Sequence, residues 1–189
     1  MTKAIIFDCF GVLATEAWLP FKAKYFGHDP KLSEKVTDIS HQADRGLITR
    51  EAAIQATAKL AGITPAEFRQ AIGRNVPNEE LFAYLRELKP RYKLGFLSNI
   101  SDNYLHKIFT LEYLGLFDVI ELSYKSGFIK PEAGAYKTVA ARLGVDVREC
   151  VMVDDQEQNI TGAARTGMKA LLYHDATQLR TELDKLLRA

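Results

Sequence analysis

The sequence has little of several features that would place it in a special class. It contains two cysteines, Cys9 and Cys150, among 189 residues, so no disulfide framework is expected. No apolar stretch approaches the roughly 18 residues that a membrane span needs. The net charge is +1 and the basic residues are scattered, so neither nucleic-acid nor membrane binding is indicated. The first residues lack the pattern of a signal peptide, so we expect a cytoplasmic protein with reduced cysteines.

The composition that is present fits an ordinary folded protein. Apolar residues make up 47% of the chain, which argues against disorder. A chain of 189 residues can form one α/β core with a small insert, but not two full domains. There is no internal repeat and no low-complexity segment.

Short apolar runs predict a parallel sheet. Continuous runs of this kind are typical of strands buried on both faces, and helical patterns separate them. The predicted strands are 4–7, 92–97, 119–123, 150–153 and 170–173, and the predicted helices between them include 78–88, 135–143 and 158–166. Strands that alternate with helices predict an α/β fold with a doubly wound parallel sheet.

The stretch of residues 15–76 has a different character. Thr49 opens a helical pattern that Gly62 ends, and Thr64-Pro65 is a second helix start. We therefore predict a small all-helical domain over 15–76, inserted after the first strand, with residues 1–14 and 77–189 forming the α/β core. Its aromatic residues are expected to form mostly its own core; they are Trp18, Phe21, Tyr25, Phe26 and Phe68.

Polar residues end three of the predicted strands. They are Asp8, the pair Ser98-Asn99 and the pair Asp154-Asp155. Any one of these is typical of a turn or a helix cap. In open parallel sheets, however, ligands bind beyond the carboxyl ends of the strands. The three together, with Lys130 before the next helix, predict a functional site.

Four motifs in this order resemble those of the haloacid dehalogenase superfamily along the whole chain. They are Asp8-Cys9-Phe10-Gly11-Val12-Leu13, then Leu97-Ser98-Asn99, then Gly127-Phe128-Ile129-Lys130-Pro131-Glu132, and finally Val153-Asp154-Asp155 followed by Asn159, Ala163 and Gly167. The helical insert is similar to the C1 cap of that superfamily. The second half is similar to the subgroup that includes sugar-phosphate phosphatases and the phosphatase domain of soluble epoxide hydrolases.

This resemblance implies a nucleophile and a metal site. Asp8 would attack phosphorus and form an acyl-phosphate. A Mg²⁺ ion would bind Asp8, the Phe10 carbonyl and Asp155, because it prefers hard oxygen ligands. Asp154 and Asn159 would lie behind these ligands and support them, or would contact the ion through water. Because successive strand residues point to opposite faces, we expect the Asp154 and Asp155 carboxylates to point apart.

The resemblance also implies how the phosphoryl group is held. Ser98 and the backbone of Asn99 would bind its oxygens, helped by the amides of Phe10 and Gly11. Lys130 would be catalytic, pairing with Asp8 and with the anionic substrate. The implied partner is a small phosphorylated metabolite rather than nucleic acid or a membrane, and the oligomeric state is open.

Phe10 departs from the phosphatase pattern. Phosphatases of the superfamily usually have an aspartate there that protonates the leaving group, and phenylalanine cannot move a proton. General acid–base catalysis is typically worth about 10²–10⁴-fold. A residue of the insert could replace it, and the candidates are His41, Asp44 and Arg45.

Three functions are compatible with Phe10. The favoured one is a Mg²⁺-dependent phosphatase that acts on leaving groups needing little protonation. The second is a 2-haloacid dehalogenase with Asp8 as nucleophile, since those relatives have an aromatic residue at this position. The Asp154-Asp155 pair opposes it, because two carboxylates repel a carboxylate substrate. The third is a protein with little turnover that binds a phosphorylated ligand.

Overall fold

The computed structural model describes residues 1–188, which form a parallel sheet and its surrounding helices. The strands are β1 (Ala4–Phe7), β2 (Lys93–Ser98), β3 (Val119–Leu122), β4 (Cys150–Asp154) and β5 (Lys169–Leu172). The α-helices are α1 (Trp18–Phe26), α2 (Pro30–Asp44), α3 (Arg50–Ala61), α4 (Pro65–Ile72), α5 (Glu79–Leu88), α6 (Leu111–Leu114), α7 (Ser123–Ser126), α8 (Ala133–Leu143), α9 (Glu157–Arg165) and α10 (Ala176–Arg188). Within these residues, none of the helices is both long and apolar enough to span a membrane.

The sheet has the order β3-β2-β1-β4-β5, and every neighbouring pair is parallel. The central strand β1 pairs with β2 on one side and with β4 on the other. Phe7 lies opposite both Phe96 and Val153, so the carboxyl ends of the three strands are level. This confirms the predicted fold class and places Asp8 beside the end of β4.

Helices cover both faces of the sheet because β1 is apolar on both. Ile5 and Phe7 pack against α5 and α10, in a core that includes Leu85 and Leu183. Ala4 and Ile6 face the other way, toward α8 and α9, where Tyr136 is fully buried. A run without polar alternation is what such a two-sided burial requires.

Local signals in the sequence fix the helix ends of the insert. Thr64 and Glu67 form a reciprocal capping box at the start of α4. Thr49 accepts a hydrogen bond from the Ala52 amide at the start of α3, and Gly62 ends that helix in the left-handed conformation. The predicted strand 119–123 is one residue too long, because Ser123 begins the short helix α7.

The helices α1 to α4 form a small aromatic core of their own. Phe21 is its centre and stacks on Tyr25 at 4.6 Å between ring centroids. Its ring also meets the edge of Phe68 at 4.8 Å. Phe26 and Trp18 pack in the same cluster. The five aromatic residues expected to form the core of the insert therefore do lie together.

The chain enters and leaves these helices at adjacent points. The Thr15 amide donates to the Val76 carbonyl at 2.9 Å, and the Val76 amide donates to the Thr15 hydroxyl at 2.9 Å. Ala14 and Pro77 form an isolated antiparallel bridge. This pairing joins residues 14–15 to residues 76–77, the positions at which the sequence predicts the domain boundaries. The division into two domains stays a prediction.

Candidate active site

Lys130 joins two carboxylates at the carboxyl end of the sheet. Its Nζ lies 2.6 Å from Asp8 Oδ1 and 2.6 Å from Asp154 Oδ2. All three side chains are almost completely buried. The lysine reaches this position because its backbone is held by Asn99. The Lys130 amide donates to Asn99 Oδ1 at 2.8 Å, and Asn99 Nδ2 donates to the Lys130 carbonyl at 3.0 Å.

Asp154 has its hydrogen-bonding capacity filled by protein. Besides Lys130, it accepts hydrogen bonds at 2.9 Å from the Gln156 amide and from Asn159 Nδ2, both on Oδ1. A carboxylate with three donors is well satisfied inside the fold. Asp154 is therefore suited to fixing Lys130 and Asn159 rather than to binding a ligand.

Asp155 is the carboxylate that lacks partners. Its Oδ1 is buried with no hydrogen-bond partner within residues 1–188. One oxygen from each of Asp8, Asp154 and Asp155 lies within 4.8 Å of the others. The expectation that Asp154 and Asp155 point apart is wrong. Asp154 is the last residue of β4, so the alternation of side chains along a strand does not extend to Asp155.

Burial and mutual repulsion shift the pKa values of this cluster. Burial raises the pKa of Asp8 above its usual value, against the attraction of Lys130, and the Asp154 charge adds to the rise. Burial, with the Asp154 charge, raises the pKa of Asp155 to about 6. Burial opposes the charge on Lys130, but Asp154 and Asp8 together raise the pKa of this lysine above its usual value. Three carboxylates face one ammonium group, which leaves an excess of negative charge.

A divalent cation fits these residues. It would neutralise the excess charge and give the buried Asp155 Oδ1 a partner. The available donors are carboxylate and carbonyl oxygens, which are the ligands that Mg²⁺ prefers. Gly11 adds a geometric observation, since a Cβ atom at this residue would stand 2.2 Å from Asp155 Oδ2. The chain turns closely around the Asp155 carboxylate.

The site opens into a cavity of about 360 Å³ between the sheet and the helical insert. Asp8, Phe10, Asn99, Lys130 and Asn159 line its floor. Ser98 is fully buried, with its hydroxyl 3.5 Å from the Asn99 carbonyl. A cavity of this size holds a small molecule rather than a macromolecule.

Three backbone amides were predicted to bind the phosphoryl group, and the structure distinguishes them. The Gly11 amide donates to the Ala14 carbonyl at 2.7 Å, so it is already used within the turn. The amides of Phe10 and Asn99 have no acceptor among residues 1–188. These two are the better candidates for binding an anion, and Gly11 instead gives Asp155 the space it needs.

One part of the cavity wall has no signal in the sequence pattern. Arg50, at the start of α3, lies with its guanidinium carbon 4.5 Å from the Tyr104 ring centroid. Tyr104 in turn stacks on Phe10, with 6.5 Å between ring centroids. Tyr104 belongs to an irregular segment between β2 and a short 3₁₀ helix, where no periodicity could have identified it.

The comparisons with curated proteins cover a minor part of each chain. Phosphatase MT3486 of Mycobacterium tuberculosis (strain CDC 1551 / Oshkosh) is 37% identical over 65 residues, 34% of this chain and 30% of that protein. Drimenol cyclase drtB of Aspergillus calidoustus is 31% identical over 71 residues, 38% of this chain and 13% of that protein. This chain thus spans less than a third of the length of either relative.

Solved structures match over nearly the whole chain. Their sequence identities are low, so the likeness shows a shared fold alone. A HAD family enzyme, bt-2542 of Bacteroides thetaiotaomicron, was solved in complex with magnesium and inorganic phosphate. It has a TM-score of 0.73 and 23% identity and covers 95% of this chain and 99% of its own. A predicted HAD-like hydrolase of Porphyromonas gingivalis has a TM-score of 0.75 and 22% identity, with 100% and 99% covered. The L-2-haloacid dehalogenase of Xanthobacter autotrophicus has a TM-score of 0.63 and 24% identity, with 97% and 82% covered.

The family assignment rests on the sequence itself. The family model described as haloacid dehalogenase-like hydrolase matches residues 2–167, which include β1, the helical insert and all four motifs. The chain belongs to the haloacid dehalogenase-like hydrolases.

Proposed function

We propose that this protein is a Mg²⁺-dependent phosphatase of a small phosphorylated metabolite, with Asp8 as the nucleophile. The observation that carries the proposal is the excess of carboxylate over ammonium charge around Lys130. A site for an anionic substrate needs cations, and here the protein supplies one lysine together with ligands for a metal ion. The magnesium and inorganic phosphate in the bt-2542 structure support the same assignment.

Each polar group of the site has a task in this proposal. Asp8, the Phe10 carbonyl and Asp155 would hold the ion, which when bound screens the repulsion between the Asp8 carboxylate and the phosphoryl oxygens. Lys130 holds Asp8 in place from one side and is 2.6 Å from its Oδ1. The free amides of Phe10 and Asn99, with the Ser98 hydroxyl, would bind the phosphoryl oxygens.

The chemistry divides into two displacements at phosphorus. In the first, a carboxylate oxygen of Asp8 forms a bond to phosphorus while the bond to the leaving oxygen breaks. In the second, water attacks the phosphorus of the acyl-phosphate, the bond to Asp8 breaks and inorganic phosphate leaves. The Asp8 carboxylate is then restored.

The test is hydrolysis of 4-nitrophenyl phosphate by the purified protein, with Mg²⁺ and with a chelator. Because 4-nitrophenolate leaves without being protonated, Phe10 does not mask the activity. We expect Mg²⁺-dependent turnover that Asp8→Asn reduces by about 10⁴-fold or more. Asp38→Asn is a matched control, since Asp38 is exposed on α2.

The other outcomes identify the alternatives. Turnover that survives in Asp8→Asn would remove Asp8 from the role of nucleophile. Phe10 favours a 2-haloacid dehalogenase as second candidate; absence of phosphate release, combined with chloride release from 2-chloropropionate, would establish that activity instead. A protein with neither activity that still binds inorganic phosphate would be a binding protein.

A further inference from the structure

We propose that Asp44, at the end of α2 in the helical insert, is the general acid that replaces the carboxyl group missing at Phe10. This inference rests on the proposed phosphatase function and adds a catalytic residue to it. Asp44 lines the same cavity as Asp8 and Lys130. It belongs to the wall contributed by the insert, whereas Asp8 belongs to the floor contributed by the sheet.

The placement of Asp44 on the insert and of Asp8 on the sheet, in the lining of one cavity, is what the reaction needs. In a displacement at phosphorus the leaving oxygen departs on the side opposite to the nucleophile. A substrate with its phosphoryl group on Asp8 therefore directs its leaving group toward the insert. A proton donor on the insert can reach that oxygen without a carboxyl group at residue 10.

The neighbouring Arg45 ties the end of α2 to the segment before α8. Its guanidinium donates to both carboxylate oxygens of Glu132, at 2.7 and 2.8 Å, and to the Gly127 carbonyl at 3.3 Å. Arg45 is thereby anchored outside the cavity. Asp44 itself takes part in none of the ion pairs formed within residues 1–188. A shielded carboxyl group that forms no ion pair retains its proton more readily than an exposed one.

The pKa of Asp44 suits a proton donor near neutral pH. Burial raises the pKa of Asp44 to about 7, against a smaller opposing effect of the Ser40 hydroxyl one turn earlier on α2. A general acid works best when its pKa is close to the working pH. The other ionisable and charged groups that line this cavity are Lys22 of α1, His41 of α2, Arg50 of α3, and Glu16, Tyr104, Asp8 and Lys130.

Other acidic and basic groups of the cavity wall are less suitable. Glu16 accepts hydrogen bonds from the amides of Trp18 and Leu19 at the start of α1, so its carboxylate is already engaged there. Partial burial and the charge of Arg45 lower the pKa of His41, so this imidazole is neutral at pH 7. Arg45 is held by Glu132 and does not give up its proton.

The proton can be followed through both displacements. As the bond from phosphorus to the leaving oxygen breaks, the Asp44 carboxyl proton moves to that oxygen and an alcohol leaves. Asp44 is then a carboxylate. When water attacks the acyl-phosphate, Asp44 accepts a proton from that water, so both Asp8 and Asp44 return to their starting states.

The experiment compares leaving groups in the wild type and in Asp44→Asn. The substrates are 4-nitrophenyl phosphate, phenyl phosphate and glycerol 2-phosphate, whose leaving groups need increasing help from a proton. We expect Asp44→Asn to lower kcat/KM for glycerol 2-phosphate by about 10²-fold or more, and for 4-nitrophenyl phosphate by roughly threefold or less. Asp44→Glu retains a proton donor and should lose less on glycerol 2-phosphate than Asp44→Asn.

The pH dependence supplies a second readout. Since the acid must carry its proton, kcat/KM for glycerol 2-phosphate should fall as the pH rises through about 7. This descending limb should be absent in Asp44→Asn. Asp38→Asn, on the same helix but exposed, should behave as the wild type with every substrate.

Different experimental results would contradict the role of Asp44 and the phosphatase proposal. Equal losses on all three substrates in a folded Asp44→Asn protein would overturn the role of Asp44. A wild type that hydrolyses 4-nitrophenyl phosphate but neither of the others would also overturn it, while leaving the phosphatase standing. A wild type that hydrolyses none of the three contradicts the proposed function itself.

Discussion

Gly11 lies close to the Asp155 carboxylate. Its φ angle is +91°, a conformation that L side chains rarely adopt, and a Cβ atom there would stand 2.2 Å from Asp155 Oδ2. We expect Gly11→Ala to displace Asp155 and to weaken Mg²⁺ binding by about tenfold or more, as the loss of an orienting contact around a metal ligand does. Isothermal titration with Mg²⁺ measures this directly.

Gly62→Ala is the matched control for that substitution. Gly62 also has a positive φ of +69°, but no atom lies within 4 Å of the position that its Cβ would occupy. Both variants should lose stability through backbone strain, by about 1 kcal/mol or more. Only Gly11→Ala should lose metal affinity. An equal loss in both would show that strain, and not the contact with Asp155, is responsible.

At the scale of single residues, the sequence predicted which side chains meet but not how they are used. Asp8 and Asp154 could be found because polar residues at the ends of neighbouring parallel strands meet at one edge of the sheet, and Lys130 through the motif that contains it. The side chain of Asn99 holds the Lys130 backbone, and the Gly11 amide is used within its own turn. Such hydrogen bonds depend on turn geometry in three dimensions, which a pattern of residue types does not contain.

At the scale of elements, one ion pair ties α2 to the segment before α8. Arg45 and Glu132 form two parallel hydrogen bonds, and their side chains are 30% and 38% exposed. Glu132 is two residues from Lys130, so this pair connects the helical insert with the lysine of the candidate active site. A forked arginine–carboxylate contact is stronger than a single one.

A double-mutant cycle of Arg45→Gln and Glu132→Gln should reveal this connection. Because the pair is partly shielded from solvent, we expect a coupling free energy of about 0.5–1 kcal/mol in urea unfolding. The pair Arg69–Glu51 within the insert serves as control, being 46% and 55% exposed. Its coupling should be smaller. A larger value for Arg69–Glu51 would contradict the importance of shielding.

The sequence predicted the strands and the helix starts of the insert, but not which helix faces line the cavity. Continuous apolar runs such as 4–7 indicate a strand buried on both faces, and β1 is such a strand. Capping residues such as Thr49 and Thr64 marked the starts of α3 and α4. The side of each insert helix that faces the cavity was not predictable, since Trp18 and Phe68 contribute both to the aromatic core and to the cavity wall.

At the scale of the whole molecule, the carboxylate cluster opposes folding unless a cation is present. Asp8, Asp154 and Asp155 are brought within 4.8 Å of one another against the single ammonium group of Lys130. In the unfolded chain Asp8 is far from the Asp154-Asp155 pair, and all three charges are hydrated. A ligand that binds only the folded state stabilises it, by about 2.7 kcal/mol at a concentration 100 times its dissociation constant.

Magnesium should therefore raise the melting temperature. The melting temperature of a protein of this size rises by about 2–4 °C per kcal/mol of added stability, so saturating Mg²⁺ should raise Tm by roughly 5–10 °C over the chelated protein.

The order of the melting temperatures of Asp155→Asn and the wild type should reverse between the two conditions. The substitution removes one repelling charge, so without metal the variant should melt above the wild type. With Mg²⁺ it should melt below the wild type, because the metal has lost a ligand. Scanning calorimetry of both proteins in both conditions measures this crossing. If Mg²⁺ raised Tm equally in the two proteins, the ion would bind elsewhere and Asp155 would have no part in holding it.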